Sequence, residues 1–229
     1  MDSPAVFLFD CDGTILDSMA MWLTGQQRLL ARYGISTTER DFAEFEHLSL
    51  EKECDAYHRK WGVEESGQAL YRVFHEMIAE GYRNLVAPRE GVRAFLGAAR
   101  NLGVLMGVAT STPADLVEGG LSSHGLEEFF LTVTTTEEAG RSKEYPDVYD
   151  LALRRASERA GIPVPRRDEV WVFEDAPFGL ESAGKAGYRT VGIFDPHGRH
   201  RRERVRELAD VFIDEYVELS PERLLDAMR

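Results

Sequence analysis

Apolar residues along this chain occur either in short continuous runs or at helical spacing, and the two patterns alternate over most of the sequence. Continuous runs lie at 5–9, 104–109, 170–173 and 190–193, with weaker candidates at 129–135 and 211–213. Such runs are typical of strands that a parallel sheet buries on both faces. Between them apolar residues recur at helical spacing, as in Val92, Phe95, Leu96 and Ala99. The alternation predicts an α/β fold, a doubly wound parallel sheet with helices on both faces.

Capping residues predict where three of the helices begin or end. Thr112 is expected to be the N-cap of a helix whose first residue is Pro113, because the missing N–H of proline is not needed there. A helix over 146–160 is expected to end at Gly161, and a further helix to follow Pro177. Each of these helices lies between two predicted strands, as a doubly wound sheet requires.

Residues 18–86 interrupt the alternation, because they contain helical patterns and no convincing strand. Three apolar stripes run through them: Met19, Leu23, Leu30 and Tyr33; Leu50, Cys54, Tyr57 and Trp61; and Leu70, Val73, Phe74, Met77 and Ile78. The stripes are typical of core-facing positions in a helical bundle. We therefore predict a sheet-containing core at 1–17 and 87–229, and an all-helical insert at 18–86 over the carboxyl ends of the strands.

The charge balance of the 229-residue chain limits its partners. Lysine and arginine number 27, aspartate and glutamate number 40, and the formal net charge is −13. A chain this acidic is not expected to have nucleic acid or an anionic membrane as its main partner. An anionic substrate must therefore be attracted by local cations or by a metal ion.

The sequence predicts a cytoplasmic protein, with a monomer as the default expectation. The only two cysteines, Cys11 and Cys54, form no disulfide or metal framework. The amino terminus is acidic where a secretory signal is basic, and no stretch approaches the roughly 20 apolar residues of a membrane span.

The first predicted strand ends in two acids, Asp10 and Asp12, within the stretch FDCDG. A simple turn is one interpretation, since Asp-Gly is a common turn dipeptide. A calcium loop does not fit, because its twelfth position, counted from Asp10, is Met21 and not an acid. The other interpretation is a chemical site at the end of the strand.

Polar residues also follow two further predicted strands. Thr110, Ser111 and Thr112 follow one run, and Glu174 and Asp175 follow another. Because the carboxyl ends of parallel strands share one edge of a sheet, we expect these side chains to converge with the first two acids. Two like charges about 4 Å apart repel by roughly 4 kcal/mol at an effective dielectric of about 20, so the cluster needs a cation, a proton or both. Oxygen ligands without histidine or thiolate favour magnesium.

Four stretches, in order, resemble the motifs of the haloacid dehalogenase superfamily: FDCDGTILDS, GVATSTP, RSKEYPDVYDLAL and VFEDAPFGLESAGKAGYRTVGI. Within the superfamily the chain is most similar to the branch with a helical cap between the first two motifs, the β-phosphoglucomutase-like phosphatases. The resemblance implies a Rossmann-like core. It also implies phosphoryl transfer, because dehalogenases of this superfamily have no carboxylate at the position of Asp12.

The resemblance further implies a role for each matching residue. Asp10 would be the nucleophile that forms an aspartyl-phosphate, and Asp12 the general acid and base. The residues expected to bind the substrate phosphate are Thr110, Ser111 and Lys143. The expected Mg²⁺ ligands are Asp10, the backbone carbonyl of Asp12, Asp175, and Glu174 directly or through a water. The implied activity is magnesium-dependent hydrolysis of a small phosphorylated metabolite such as a sugar phosphate.

Departures from the superfamily pattern leave alternatives open. Glu144 follows Lys143 where proline is usual, and we expect its side chain to point to solvent, while Arg141 competes with Lys143 for the same role. β-Phosphoglucomutases carry a histidine where this chain has Trp22, which favours a phosphatase over a mutase. A non-catalytic protein that binds phosphate or magnesium is a further alternative, against which the completeness of the motifs argues.

One stretch of this acidic chain is strongly basic, and it contains His197, Arg199, His200, Arg201, Arg202, Arg204 and Arg206. We expect a solvated helix face paired with nearby acids. The alternative is a docking site for an anionic partner.

Overall fold

The computed structural model describes residues 4–63 and 66–228, so the first three residues and the last residue of the predicted core, and two residues of the predicted insert, lie outside it. The described residues form eight strands: β1 (Val6–Phe9), β2 (Leu16–Asp17), β3 (Ala87–Pro88), β4 (Leu105–Thr110), β5 (Val133–Thr135), β6 (Val170–Glu174), β7 (Arg189–Ile193) and β8 (Val211–Ile213). The α-helices are α1 (Met19–Ala31), α2 (Leu50–Trp61), α3 (Gly67–Asn84), α4 (Val92–Asn101), α5 (Ala114–Ser123), α6 (Thr136–Ala139), α7 (Asp147–Ala160), α8 (Pro177–Ala186), α9 (Arg202–Leu208) and α10 (Pro221–Ala227).

Six of the strands form one parallel sheet in the order β5-β4-β1-β6-β7-β8. The chain builds outward from β1 to β4 and β5, and then returns to build β6, β7 and β8 on the other side. The direction of winding therefore reverses beside β1, and ligands of open α/β sheets bind at the carboxyl end of the strands at such a point. The predicted doubly wound fold is confirmed, and Asp10 directly follows the strand at the reversal.

The central strand has no polar face because side chains pack on both sides of it. Phe7 and Phe9 point to an aromatic cluster with Phe95 of α4 and Phe173 of β6. Val6 and Leu8 alternate with them and belong to a second cluster that includes residues of α7 and α8. A strand buried on both faces must be apolar throughout, which explains why the sequence pattern found it so readily.

Replacing Phe173 with alanine is expected to lower the free energy of unfolding by about 3–5 kcal/mol, because it leaves a cavity in this aromatic cluster. The Phe173 ring is fully buried and stacks on Phe9 with 4.2 Å between ring centroids. Urea denaturation followed by circular dichroism measures the change. Leu85→Ala is the matched control, since Leu85 is 71% exposed and its removal should change stability by less than about 0.5 kcal/mol. Equal losses for the two variants would contradict the assignment of Phe173 to the core.

Helix boundaries agree with the sequence patterns except at one position. Helix α7 ends before Gly161, whose φ of 68° is left-handed, and α8 begins at Pro177. Helix α5 begins at Ala114 with Pro113 as its N-cap, so the prediction of Thr112 as N-cap is wrong. The hydroxyl of Thr112 donates to Asp12 instead of capping the helix.

The weaker strand predictions are confirmed in part. Residues 211–213 form β8 as expected. Of the stretch 129–135 only Val133–Thr135 is a strand, because Phe129 ends a short 3₁₀ turn. Thr132 still accepts a hydrogen bond from Val108 of β4, so the chain follows the sheet before its edge strand begins.

Helices α1, α2 and α3 lie within the segment predicted as an insert, and their apolar stripes form a common core. The chain passes into and out of this segment through β2 and β3, which pair antiparallel with Leu16 opposite Pro88 and Asp17 opposite Ala87. The sequence did not predict this pairing, because two-residue strands carry no periodicity. The boundaries of the insert at 18 and 86 stay a prediction.

Within residues 4–63 and 66–228, none of the helices combines the length and the apolar character needed to cross a membrane.

Candidate active site

The two acids after β1 are held in a tight turn at the edge of the sheet. The backbone N–H of Asp10 donates to the carbonyl of Phe173 at 2.9 Å, which continues the sheet by one residue. Gly13 then turns the chain with a φ of 76°. A Cβ at this position would lie 2.4 Å from Oδ2 of Asp175, so only glycine allows the close approach of the turn to that carboxylate.

Three buried carboxylates converge beside this turn. Asp10, Glu174 and Asp175 each contribute one oxygen to a group whose atoms all lie within 4.8 Å of one another. Burial raises the pKa of Asp10 to about 7, although Lys143 opposes the shift. Burial, and then the charges of Asp10 and Glu174, raises the pKa of Asp175 well above its ordinary range. Burial therefore disfavours the charged forms of these carboxylates, and oxygen-only donors of this kind fit a hard divalent cation such as Mg²⁺.

One lysine reaches into this acidic group. Nζ of buried Lys143 donates to Oδ1 of Asp10 and, at 2.5 Å, to Oε1 of Glu174. Burial alone would lower the pKa of Lys143, but the charges of Asp10 and Glu174 raise it above its ordinary value, so the amine is charged. Tyr149, which sequence reasoning missed, donates to the same oxygen of Glu174 at 2.7 Å.

The neighbouring cation and anion lie away from the acids. Arg141 is 3.6 Å from Asp147 and its guanidinium stacks on the ring of Tyr145. Glu144 is exposed, as its sequence context predicted. Of the two candidate cations, Lys143 is therefore the one that contacts Asp10.

The carboxylate of Asp12 is outside this group of three and accepts four hydrogen bonds. Ser18 and Tyr82 donate to Oδ1 at 2.5 Å, and the indole N–H of Trp22 donates to the same oxygen at 2.9 Å. Thr112 donates to Oδ2 at 2.7 Å. Three of these donors come from the helical segment and one from the loop after β4, so Asp12 lies where the two parts of the chain meet.

Sequence reasoning found only part of this set of donors. Trp22 was noted only as the residue in place of the histidine of the mutases, and Ser18 is the last residue of the first motif stretch, FDCDGTILDS. Tyr82 lies 70 residues from Asp12 along the chain and is one of several aromatic residues of α3, so no sequence signal distinguished it. Thr112 was recognised as one of the polar residues that follow a predicted strand, but its position before a helix favoured its interpretation as an N-cap.

Two further hydroxyl groups line the pocket, at the end of β4 and just before α5. Thr110 is buried at the end of β4, and its Oγ1 accepts from the backbone N–H of Thr112 at 3.1 Å. Oγ of Ser111 is buried and has no hydrogen-bond partner among the described residues. Both hydroxyls are free to donate to an anion, and the amino end of a ten-residue helix lies beside them.

All seven predicted site residues line one pocket between the sheet edge and the helical segment. The other end of the pocket is formed by Gln26, Glu53 and Arg199, among others. The placement of Arg199 differs from the prediction of a solvated basic face, because this side chain precedes α9 and reaches Gln26. The rest of the basic stretch includes the expected surface pairs, such as Arg202 with Asp214.

Comparisons with known proteins agree with this architecture. The sequence model of the haloacid dehalogenase-like hydrolases matches residues 7–193. Hexitol phosphatase B of Escherichia coli K12 is 25% identical over 223 residues, covering 95% of each chain. Validoxylamine A 7'-phosphate phosphatase of Streptomyces hygroscopicus subsp. limoneus is 27% identical over 220 residues, covering 93% of this chain and 95% of that protein. The solved structure of CbbY from Rhodobacter sphaeroides in complex with phosphate has a TM-score of 0.79 at 22% identity, covering 95% of this chain and 96% of CbbY, and shows the same fold.

Proposed function

The chain belongs to the family of haloacid dehalogenase-like hydrolases, and we propose that it is a magnesium-dependent phosphatase of small phosphorylated metabolites. The observation that carries the proposal is the arrangement around Asp10. Lys143 donates to Oδ1 of Asp10, and no hydrogen bond among the described residues reaches Oδ2. Asp10 lines the same pocket as the hydroxyls of Thr110 and Ser111. An anionic phosphate can approach a carboxylate only where positive charge offsets the repulsion, and Lys143 supplies part of that charge.

In the first step, Oδ2 of Asp10 attacks phosphorus and the bond from phosphorus to the leaving oxygen breaks. Asp12 donates a proton to that oxygen, which leaves as an alcohol. Thr110, Ser111 and Lys143 bind the phosphoryl oxygens and keep phosphorus in line with Asp10. The product on the protein is an aspartyl-phosphate, a labile acyl phosphate, so one difficult displacement becomes two easier ones.

In the second step, Asp12 takes a proton from a water molecule, and the resulting hydroxide attacks phosphorus. The bond between phosphorus and Asp10 breaks, and inorganic phosphate leaves with the carboxylate restored. Asp12 is thus protonated and deprotonated once in each cycle, as a general acid and then a general base. Its four hydrogen-bond donors fix the direction in which its carboxylate points.

The residues that would hold Mg²⁺ are Asp10, the carbonyl of Asp12, Asp175 and Glu174. The three side chains in this set offer oxygens within 4.8 Å of one another. Glu174 already accepts from Lys143 and Tyr149, which favours its acting through a water. When bound, the ion supplies positive charge that stabilises the phosphoryl oxygens and keeps Asp10 ionised.

The helical segment is proposed to act as a cap that closes over the bound phosphate. Ser18, Trp22 and Tyr82 of this segment all donate to Asp12, so closure of the segment positions the acid and also excludes bulk water.

The residue at position 22 also favours hydrolysis over a mutase reaction. The indole of Trp22 only donates and cannot relay a proton as a histidine can.

The test is phosphate release from a panel of sugar phosphates, polyol phosphates, nucleotides and 4-nitrophenyl phosphate, with Mg²⁺ and with a chelator. Release that depends on Mg²⁺ is expected, and chelation should reduce it to background. Undiminished release in the chelator would contradict the metal site. If no compound is hydrolysed, product analysis on β-glucose 1-phosphate primed with the bisphosphate tests for a mutase, and no product there would leave the non-catalytic alternative.

A further inference from the structure

The end of the pocket that lies away from Asp10 contains a second group of polar side chains, here called the distal cluster: Gln26, Glu46, Glu53 and Arg199. Glu53 and Gln26 are buried, and the Gln26 amide donates to Oε1 of Glu53 at 2.6 Å. Arg199 donates to the carbonyl oxygen of the same amide at 2.6 Å and lies 3.8 Å from Glu46. The phosphatase mechanism uses none of these residues.

The distal cluster includes a residue of α1 one turn beyond the residue that contacts Asp12. Trp22 donates to Asp12, and Gln26 follows it by one turn of α1, a rise of about 6 Å. Both residues line the same pocket. A molecule whose phosphate contacts Asp10 and which extends along α1 would therefore bring its far end to Gln26 and Glu53.

Two atoms of the distal cluster have unused hydrogen-bonding capacity. Tyr57 and Gln26 both donate to Oε1 of Glu53, whereas Oε2 receives no hydrogen bond from the described residues. Nε of Arg199 is buried and has no acceptor there. A buried donor without a partner is unfavourable. Oε2 of Glu53 and Nε of Arg199 are therefore complementary to a group that both donates and accepts a hydrogen bond.

A hydroxyl group has this property, and a second phosphate does not. The distal cluster contains two carboxylates and one guanidinium, so an added anion would meet net negative charge. Repulsion between like charges is stronger there than in water, because the cluster is largely buried. Burial raises the pKa of Glu53 to about 7, although the hydrogen bond from Tyr57 opposes the shift, so Glu53 is mostly ionised at pH 8.

Resting on the proposed phosphatase function, we propose that the distal cluster binds a hydroxyl group at the far end of the substrate. The substrate class is then the monophosphate of a polyol or sugar, and Glu53 is the residue that rejects bisphosphates. Recognition combines an attractive element, the hydroxyl contact to Glu53 and Arg199, with a repulsive one, the negative charge of Glu53 against a second phosphate.

The test compares mannitol 1-phosphate with mannitol 1,6-bisphosphate, which differ only at the far end, at pH 8 and saturating Mg²⁺. The wild type is expected to prefer the monophosphate in kcat/KM. Glu53→Gln should lower that preference about 10- to 100-fold, because it weakens a hydrogen bond to a charged group and removes the repulsion. Glu51→Gln, an exposed acid on the same helix, is the matched control and should leave the preference unchanged.

Equal or better use of the bisphosphate by the wild type would overturn the proposal, as would an unchanged preference in Glu53→Gln. Calorimetric binding of both compounds to Asp10→Asn tests the distal cluster without turnover and covers the case in which Glu53→Gln does not fold. Tighter binding of the monophosphate is expected, and tighter binding of the bisphosphate would contradict the proposal. Failure of the wild type to hydrolyse 4-nitrophenyl phosphate would count against the phosphatase function alone.

Discussion

Asp10→Asn is expected to abolish turnover, with a loss of at least about 10⁴-fold in kcat, because the amide is not a nucleophile and no phosphoenzyme can form. The substitution preserves the shape of the side chain, and the amide oxygen can still accept from Lys143. Folding and phosphate binding are therefore expected to persist while chemistry stops. Phosphate release and trapping of radiolabelled phosphate on the denatured protein measure the two consequences.

The matched control for this variant is Glu144→Gln. Glu144 follows Lys143 in the chain, but the side chain of Glu144 is exposed. The control should retain activity close to that of the wild type, since the residue does not contact Asp10. If Asp10→Asn kept more than about one-hundredth of the wild-type rate, the assignment of the nucleophile would be refuted, because the amide offers no alternative route to a phosphoenzyme.

Asp12→Asn is expected to lower kcat by about 10²- to 10⁴-fold, the range typical of a lost general acid and base. The asparagine oxygen can still accept from Ser18, Trp22 and Tyr82, so the effect should be chemical and not structural. The two steps should also respond differently. A substrate such as 4-nitrophenyl phosphate has a good leaving group and needs little help from an acid, whereas hydrolysis of the phosphoenzyme still needs the base.

The expected signature of Asp12→Asn is therefore a burst. Rapid mixing with 4-nitrophenyl phosphate should release up to one equivalent of 4-nitrophenolate quickly and then continue slowly, with phosphoenzyme accumulating. A slow reaction without a burst would show that phosphoryl transfer to Asp10 is itself impaired. That result would remove the special role of Asp12 in the second step.

The sheet could be predicted from the sequence because its central strands are buried on both faces. A run such as VFLF has no polar position, and the acids that follow it stand out against the apolar pattern. The same pattern predicted that β4 and β6 end at one edge of the sheet, and Asp10, Thr110 and Asp175 line one pocket there. Strand order and convergence at an edge follow from rules of connection that do not depend on side-chain detail.

The rest of the site depends on tertiary contacts that leave no local pattern. Tyr82 could be recognised only once the fold brought α3 to the turn that carries Asp12. Arg199 was grouped with the arginines of α9 because of its position in the chain, but its side chain turns inward to Gln26. In both cases the role of the side chain is set by a partner far away in the sequence.

The pairing of β2 with β3 has a consequence for how this chain can diversify. Because the two crossings lie side by side, the helical segment leaves and re-enters the sheet domain at one place, as an insertion with adjacent ends does. Changes in the length or sequence of that segment therefore need not alter the register of β1 with β4 and β6. The strands that carry Asp10 can thus stay unchanged while the helical segment varies, provided that Ser18, Trp22 and Tyr82 of the segment still hold Asp12.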